Sequence, residues 1–301
     1  MTIIGSRKIS YAVSGALIAL SLVSLALWGL KLGIDFTGGS LIEAEFAAER
    51  PANEDIILAL KSKGLENIVA QPTGEKGVIL KLKDLNENEH QEVLSGLKSL
   101  GDVTEKRFSS IGPTIGSELR KRSMWSVALV ILMIVIYLSW AFRKVSRPMA
   151  SWKYGIAAIV ALIHDITIPM GLFSVLGHFY GIEVDTLFVT ALLTILGFSV
   201  HDTIVVFDRI RETLNRSGAG SADFENVVEK SIRSTILRSI NTSFTVVLVL
   251  AFLFFLGGES VKYFTLAMLV GVFFGTYSSI FVASALLVSW FNFERKPARA
   301  A

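Results

Sequence analysis

Cysteine is absent from the 301-residue sequence, so the chain can form no disulfide and has no thiolate chemistry. Charged residues are also scarce at 18%, whereas 52% of the residues are hydrophobic and the mean hydropathy is +0.57. This composition excludes an ordinary soluble globular protein. No glycine-rich phosphate loop ending in Lys-Ser or Lys-Thr occurs either, which argues against an ATPase. Any driving energy is therefore expected to be electrochemical.

Six apolar stretches are long enough to cross a bilayer as helices. They cover residues 10–30, 124–142, 154–177, 187–208, 236–256 and 263–290. The first follows Arg7 and Lys8, as a signal peptide would, but its apolar core is too long for a signal and no Ala-x-Ala site follows it. The sequence therefore predicts an uncleaved first helix and an α-helical membrane protein with six transmembrane helices.

Lys and Arg are concentrated at alternate ends of the predicted helices, and this asymmetry orients the chain. The basic residues concerned are Arg7, Lys8, Arg143, Lys144, Arg147, Lys153, Arg209, Arg211, Arg216, Lys230, Arg233, Arg238, Arg295, Lys296 and Arg299. Loop 178–185 has no Lys or Arg, and loop 257–262 has only Lys262. We expect a multi-pass protein of the cytoplasmic (inner) membrane with both termini in the cytoplasm. The positive-inside rule accounts for the pI of 9.0, so no nucleic-acid partner is needed to explain the basic residues. We expect the chain to contact membrane lipid and to bind no nucleic acid.

The expected organisation has four parts. Residues 1–32 form the N-terminus and the first helix, 33–122 an extracytoplasmic α+β domain, 123–292 the remaining five helices, and 293–301 a cytoplasmic tail. Cytoplasmic loop 209–235 contains a glycine- and serine-rich hinge at 217–221, followed by a short amphipathic helix from Phe224 to Ile232.

The exported segment has alternating strand and helix patterns. They predict strand, helix, strand, strand, helix, strand at Ser40–Phe46, Asn53–Lys63, Glu66–Gln71, Val78–Lys83, Glu87–Leu100 and Asp102–Ser109. This βαββαβ order is the ferredoxin-like arrangement. We expect a docking or handling module, because no catalytic constellation occurs in it.

Ionisable residues interrupt three of the apolar stretches. They are His164 and Asp165 in the third helix, His201 and Asp202 in the fourth, and Arg238 at the start of the fifth. A carboxylate in hydrocarbon costs about 2.5–3.5 kcal/mol on insertion scales, so it normally faces a bundle interior and often marks an ion or proton path. Asp202 lies about 9 Å from the cytoplasmic end of its helix at 1.5 Å per residue. These five residues are the candidate proton relay, in which a snorkelling Arg238 comes close to Asp202 directly or through Asn241.

Other interpretations of these residues stay open. Asp202 and Arg238 could form a static ion pair that fixes the fourth helix to the fifth, and Asp165 could be a structural hydrogen-bond acceptor. A metal site is disfavoured, since adjacent His and Asp side chains point about 100° apart on a helix. We therefore expect no metal, no cofactor and no enzymatic activity.

Small residues recur at every fourth position of the sixth helix, a pattern that allows close helix approach. They are Ala267, Gly271, Gly275, Ser279 and Ala283. The stripe could pack inside this chain's own bundle or against a partner subunit. The partner seam is the favoured interpretation.

Three motifs together resemble the SecF family of the bacterial Sec protein-export machinery. They are Gly33-Ile-Asp35-Phe36-Thr-Gly38-Gly39, the segment Gly197–Glu212 and the segment Ser239–Ser243. The likeness covers essentially the whole chain, except that the family commonly has Asn where this sequence has His201. That departure leaves the role of Asp202 intact and raises the question of whether His201 titrates beside it.

The resemblance implies a proton-motive-force-coupled accessory subunit related to the resistance-nodulation-division transporters. Such a subunit would pair with SecD, work beside the SecYEG channel and assist export of unfolded polypeptide. By analogy with the family, Asp202 and Arg238 would have the proton-relay role. The same analogy gives a structural role, coupling the first helix to the exported domain, to Asp35, Phe36, Gly38 and Gly39. The alternative is a proton-driven exporter of small molecules or lipids, whose exported domain should offer an apolar cleft.

Overall fold

The computed structural model describes residues 2–142, 149–217 and 224–295. The predicted basic residues Arg143, Lys144 and Arg147, most of the hinge at 217–221 and the tail beyond Arg295 lie outside the described residues. The chain divides into two compact units. One comprises Leu32–Met124, and the other comprises the chain before and after that segment.

The elements follow one another in this order. They are α1 Arg7–Trp28, α2 Ile34–Thr37, β1 Gly39–Phe46, α3 Asn53–Lys61, β2 Val69–Thr73, β3 Gly77–Leu82, α4 Glu87–Lys98, β4 Val103–Ile111, α5 Pro113–Ala141, α6 Ser151–Tyr180, α7 Thr186–Ser217, α8 Phe224–Leu256, α9 Glu259–Ser278 and α10 Ser284–Arg295. A 3₁₀ turn, Ile4–Ser6, precedes α1, and a π-helical segment, Ser279–Ala283, joins α9 to α10.

Six helices among the described residues are long and apolar enough to span a membrane. They correspond to the six predicted stretches, with α9, the π segment and α10 together forming the sixth. The prediction of a six-helix membrane protein is therefore confirmed.

Three helices extend well beyond their apolar runs. Residues 114–122, which precede the second apolar run, are the first part of α5. The predicted amphipathic helix Phe224–Ile232 is the first part of a single 33-residue helix, α8. The apolar residues of this amphipathic segment are buried, namely Phe224, Val227, Val228 and Ile232. Helix α7 also continues nine residues past Asp208, to Ser217.

The unit Leu32–Met124, called the exported unit below, contains a four-stranded antiparallel sheet in the order β2-β3-β1-β4. This is the ferredoxin-like βαββαβ arrangement that the sequence predicts. Ile42, Ala44 and Phe46 point to the covered face of β1, where they form one core with Leu60 of α3 and Leu97 of α4. The alternation of buried and partly exposed residues along β1 and β3 follows from the two-residue period of a strand.

Helix α4 begins with a complete capping box. The Asn86 side chain accepts a hydrogen bond from the Glu89 backbone N–H at 3.0 Å, and the Glu89 carboxylate accepts one from the Asn86 backbone N–H at 3.0 Å. The Lys83 ammonium also contacts Glu89 at 2.9 Å. These hydrogen bonds lower the pKa of Glu89, and the Glu89 carboxylate raises the pKa of Lys83. The helix start is thereby held to the end of β3.

The small-residue stripe of the sixth membrane helix packs inside this chain. A Cβ added at Gly271 would lie 2.2 Å from Cδ1 of Ile195 in α7, and one added at Gly275 would lie 3.3 Å from Cβ of Ser199 in α7. Ala267, Ser279 and Ala283 are fully buried. The preferred interpretation of the stripe as a partner seam is therefore wrong, because its small side chains already permit close packing of α9 against α7.

Candidate functional site

Asp202 is buried inside the helix bundle, with 2% of its surface exposed. The Thr276 hydroxyl of α9 donates a hydrogen bond to Asp202 Oδ2 at 3.3 Å. Thr276 Oγ1 in turn contacts the Ser243 hydroxyl of α8. The carboxylate therefore lies where α7, α8 and α9 meet, and hydroxyl groups supply its hydrogen bonds.

The predicted pair between Asp202 and Arg238 is not formed. Arg238 is exposed, and in the described part of the chain no hydrogen bond or ion pair joins it to Asp202. The reason is helix phase: Arg238 lies five residues before Ser243 on α8, so its side chain points about 140° away from the face that approaches Asp202, at about 100° per residue. Asn241 is also exposed and does not bridge the two.

His201 is exposed on α7, one residue before the buried Asp202. The adjacent positions point to different sides of the helix, as the 100° step requires. His201 therefore faces away from the hydroxyl cluster that binds Asp202.

Asp165 forms a second buried site, on α6. Its Oδ2 accepts hydrogen bonds from the Ser199 hydroxyl of α7 and, at 2.7 Å, from the Ser278 hydroxyl of α9. Its Oδ1 lies 2.8 Å from His164 Nδ1. Asp165 is 0% exposed and His164 is 1% exposed. The carboxylate thus joins three membrane helices.

The two carboxylate sites share the same pair of neighbouring helices. Ser199 and Asp202 are three residues apart on α7, and Thr276 and Ser278 are two residues apart on α9. The sequence interpretation did not single out these hydroxyls. Hydroxyl residues in the middle of otherwise apolar helices were the available signal, because a buried carboxylate must find donors.

The glycine-rich motif lies within the exported unit, where α2 leads into β1. The motif residues are Gly33, Asp35, Phe36, Gly38 and Gly39. Phe36 is buried, and Gly38 and Gly39 have φ values of 76° and 128°. A Cβ at Gly38 would lie 2.7 Å from Pro113 Cα, and one at Gly39 would lie 2.7 Å from the Leu82 carbonyl oxygen. Both the backbone conformation and the close approach require glycine.

No group of three or more His, Asp or Glu side chains within the described ranges has the arrangement of a metal site. His164 and Asp165 contact each other, but their remaining neighbours are hydroxyls and aromatic rings. The cluster combines a carboxylate, an imidazole and hydroxyl groups, which are side chains that can accept or donate protons.

Two family models match the chain. The model "Protein export membrane protein SecD/SecF, C-terminal" covers residues 91–292, and the model "SecD/SecF GG Motif" covers residues 23–48, which include Gly38 and Gly39. The chain belongs to the SecD/SecF family. The resemblance that the sequence motifs indicated is therefore confirmed.

Several relatives in the SecD/SecF family match almost end to end. The protein translocase subunit SecF of Thermobaculum terrenum is 46% identical over 95% of this chain and 92% of its own length. The SecF of Anaerolinea thermophila is 39% identical over 100% of both chains. These matches include the membrane helices, the exported domain and the motif between them.

A crystal structure of SecDF from Thermus, described as a translocon-associated membrane protein, superposes with a TM-score of 0.83 at 34% identity. It matches 97% of this chain, which spans 39% of the SecDF chain. SecDF in a super-membrane-facing form gives a TM-score of 0.70 at 33% identity, with 100% of this chain and 40% of that chain matched. The fold described here is thus shared with the corresponding part of SecDF.

Proposed function

We propose that the chain is the SecF subunit of a Sec translocase and that it uses the proton-motive force to assist export of polypeptides across the cytoplasmic membrane. The names of its relatives and its likeness to part of SecDF support this assignment. A SecD chain is then its partner, and the SecYEG channel and the exported unfolded polypeptide are what the pair acts on. The role is that of a non-catalytic accessory subunit.

The observation that carries the proton-coupling proposal is the environment of Asp202. The carboxylate is buried in an apolar helix, and the described residues supply it with hydroxyl donors rather than with a lysine or arginine partner. An ionised carboxylate there carries an insertion cost of about 2.5–3.5 kcal/mol, which protonation removes. A proton crossing about 100 mV releases about 2.3 kcal/mol. The two energies are similar in size, so a bound proton can drive a change in the packing around Asp202.

Arg238 takes part in this proposal as a group that approaches Asp202 in another conformation or faces the partner subunit. Its exposed position on α8 leaves the side chain accessible from outside this chain. An arginine near a carboxylate favours the charged form. Movement of Arg238 relative to Asp202 would therefore make the Asp202 carboxylate release or take up its proton. His201, next to Asp202 on α7, is a further group of the proposed relay.

The topology is also part of the proposal. Both termini and the segment 209–235 lie in the cytoplasm, and the domain that the sequence places at 33–122 lies outside it, as the positions of Lys and Arg favour. The Gly33–Gly39 motif then lies at the start of that domain, where Gly38 and Gly39 adopt positive φ values. A module that handles polypeptide outside the cytoplasm agrees with the names of the relatives better than an exporter of small molecules does.

The test is the replacement Asp202→Asn, which keeps the side-chain shape and removes the ability to ionise. Export of a secreted precursor is measured in cells with and without a protonophore. We expect the variant to insert and to co-purify with SecD normally but to lose the protonophore-sensitive part of export.

A matched control is Asp84→Asn, the same chemical change at an exposed position of the extracytoplasmic unit. This variant should keep the full protonophore-sensitive export. Equal, undiminished export by Asp202→Asn and Asp84→Asn would overturn the proton-coupling proposal. If Asp202→Asn instead fails to accumulate in the membrane, Thr276→Val, which removes the hydroxyl donor and leaves the carboxylate, provides the second test of the site.

A further inference from the structure

Asp165 lies at a junction that the proton-coupling proposal for Asp202 does not use. Its two oxygens accept or share hydrogen bonds with His164 on the same helix, Ser199 on α7 and Ser278 on α9. An ionised carboxylate can accept all of these bonds, whereas a protonated one must donate one of them, which reverses the direction of that bond. The protonation state of Asp165 therefore sets the hydrogen-bond pattern among three helices.

His164 gives this junction a second proton-binding atom. Its Nδ1 faces Asp165, but its Nε2 is buried with no hydrogen-bond partner among the described residues. The ring lies against Tyr277 and Phe274 of α9, with centroids 6.1 Å and 6.2 Å away. Leaving a buried nitrogen unpaired costs about 1–3 kcal/mol. A group retained at that cost inside a membrane bundle is a candidate for function.

The sixth membrane helix changes its winding directly beside this junction. Ser278, which donates to Asp165, is the last residue of α9, and the π segment begins at Ser279. The Ser284 hydroxyl donates to the Ser279 carbonyl at 3.0 Å across the π turn. Single π turns inside α-helices occur frequently at functional sites. A change at Ser278 therefore acts on the point where α9 passes into α10.

We propose that His164 and Asp165 form a second proton-binding site, separate from Asp202, and that Ser278 links its charge state to the π segment and so to the position of α10. The role of this site in export rests on the proposed proton-driven function, whereas the binding of a proton at Asp165 can be measured independently. The consequence is that α10 moves relative to α8 when the site gains or loses a proton.

The titratable groups of the neighbouring helices fall into two sets: those of α7 and α9, next to the junction, and those of α1 and α6, which are exposed or have partners elsewhere. Asp202 of α7 interacts electrostatically with Asp165, and Tyr277 of α9 stacks on the His164 ring. On α1, Arg7 pairs with Glu225, Tyr11 bonds Ser289 and Lys8 is exposed. On α6, Lys153 pairs with Glu294. A titration of the junction must therefore be separated from that of Asp202.

Infrared difference spectroscopy of the full chain, in the Asp202→Asn background, makes that separation. The carboxylic acid C=O band of a protonated Asp165 should appear as the pH is lowered and should be lost in Asp165→Asn. Absence of a titrating band that depends on Asp165 would overturn the second site. A titrating band together with full proton-dependent export by Asp202→Asn would instead support the second site and contradict the proposed function of Asp202.

The link through Ser278 is tested with spin labels, because the chain has no native cysteine. Labels on cysteines introduced at Lys230 of α8 and Phe293 of α10, both exposed, report the separation of the two helices. Asp165→Asn should shift the distance distribution, and the shift should disappear when Ser278→Ala is also present. Ser174→Ala is the control, at a buried serine of α6 whose hydroxyl donates to the Ser24 carbonyl, and it should leave the shift intact. A shift of equal size with and without Ser278 would overturn the link.

Discussion

The close contact of α9 with α7 predicts a specific loss of stability for Gly271→Ala. The new Cβ would lie 2.2 Å from Ile195 Cδ1 and 2.3 Å from Cγ1, whereas ordinary contacts begin at 3.4 Å. Ile195 is fully buried, so a shift of about 1.2 Å (3.4 minus 2.2) must be accommodated within a packed core. Such overpacking typically costs about 1–3 kcal/mol.

The matched control is Gly197→Ala on α7, where an added Cβ meets nothing within 4 Å. Both changes replace a helical glycine and gain about the same helix propensity, about 1 kcal/mol. The difference between the two variants therefore isolates the clash, and we expect Gly271→Ala to be less stable than Gly197→Ala by about 1–3 kcal/mol. Denaturant unfolding of the purified subunit in detergent measures this difference.

A second-site change distinguishes a clash from a general effect of the mutation. Ile195→Ala removes the side-chain atoms that the new Cβ would meet. The double variant should therefore lose less stability than the sum of the two single variants, with a coupling of about 1–3 kcal/mol. Equal stability of Gly271→Ala and Gly197→Ala, together with additive effects in the double variant, would refute the internal packing of the stripe.

Three further outcomes are expected. Gly38→Ala should disorder the exported unit far more than Gly74→Ala, since both glycines have positive φ but only Gly38 approaches another backbone, and proteolysis of the two variants would show it. The start of α4 should lose hydrogen-exchange protection as the pH falls below 4.5, the ordinary pKa of Glu, because the lowered pKa of Glu89 gives stability that is full above 4.5 and is lost as the carboxylate becomes protonated. The raised pKa of Lys83 gives stability that is full below 10.5, so it does not change in this acid range. Glu89→Gln should abolish the acid effect. Arg238→Ala should leave the detergent stability of the lone subunit unchanged while reducing protonophore-sensitive export, and a large loss of stability would contradict its exposed position.

The exported unit was predicted from sequence almost element by element. Its strands alternate in hydropathy, its helices have clear starts, and the Asn86–Glu89 capping box marks one of them directly. Local pattern was sufficient there for β1 and β3, because each of these strands has one covered and one more open face. The observed strands begin and end within three residues of the predicted positions.

Helix ends in the membrane unit were harder to predict. Hydropathy falls where a helix leaves the bilayer, but the backbone hydrogen bonding of α7 and α8 continues into the charged segments. The salt bridges Arg209–Glu212 and Arg233–Glu229, at helical spacing, stabilise those extensions. An apolar run therefore predicts a span but not the full helix.

Pairings across the bundle depend on helix phase, which a single sequence does not specify. Arg238 and Ser243 both suit a partner for Asp202 by composition, and only the rotation of α8 decides that Ser243 faces inward. The small residues at Gly271 and Gly275 likewise indicate close packing without indicating which helix approaches. In each case the deciding information is the direction of a side chain relative to a distant element.

The measurement that tests the proton role of Asp202 most directly is proton flux through the subunit reconstituted with SecD in liposomes under an imposed pH gradient and membrane potential. Flux should be present with the unaltered chain and with Asp84→Asn, and it should fall to the level of protein-free liposomes with Asp202→Asn. Flux that persists undiminished in Asp202→Asn, with the complex intact, would contradict a proton path through this carboxylate.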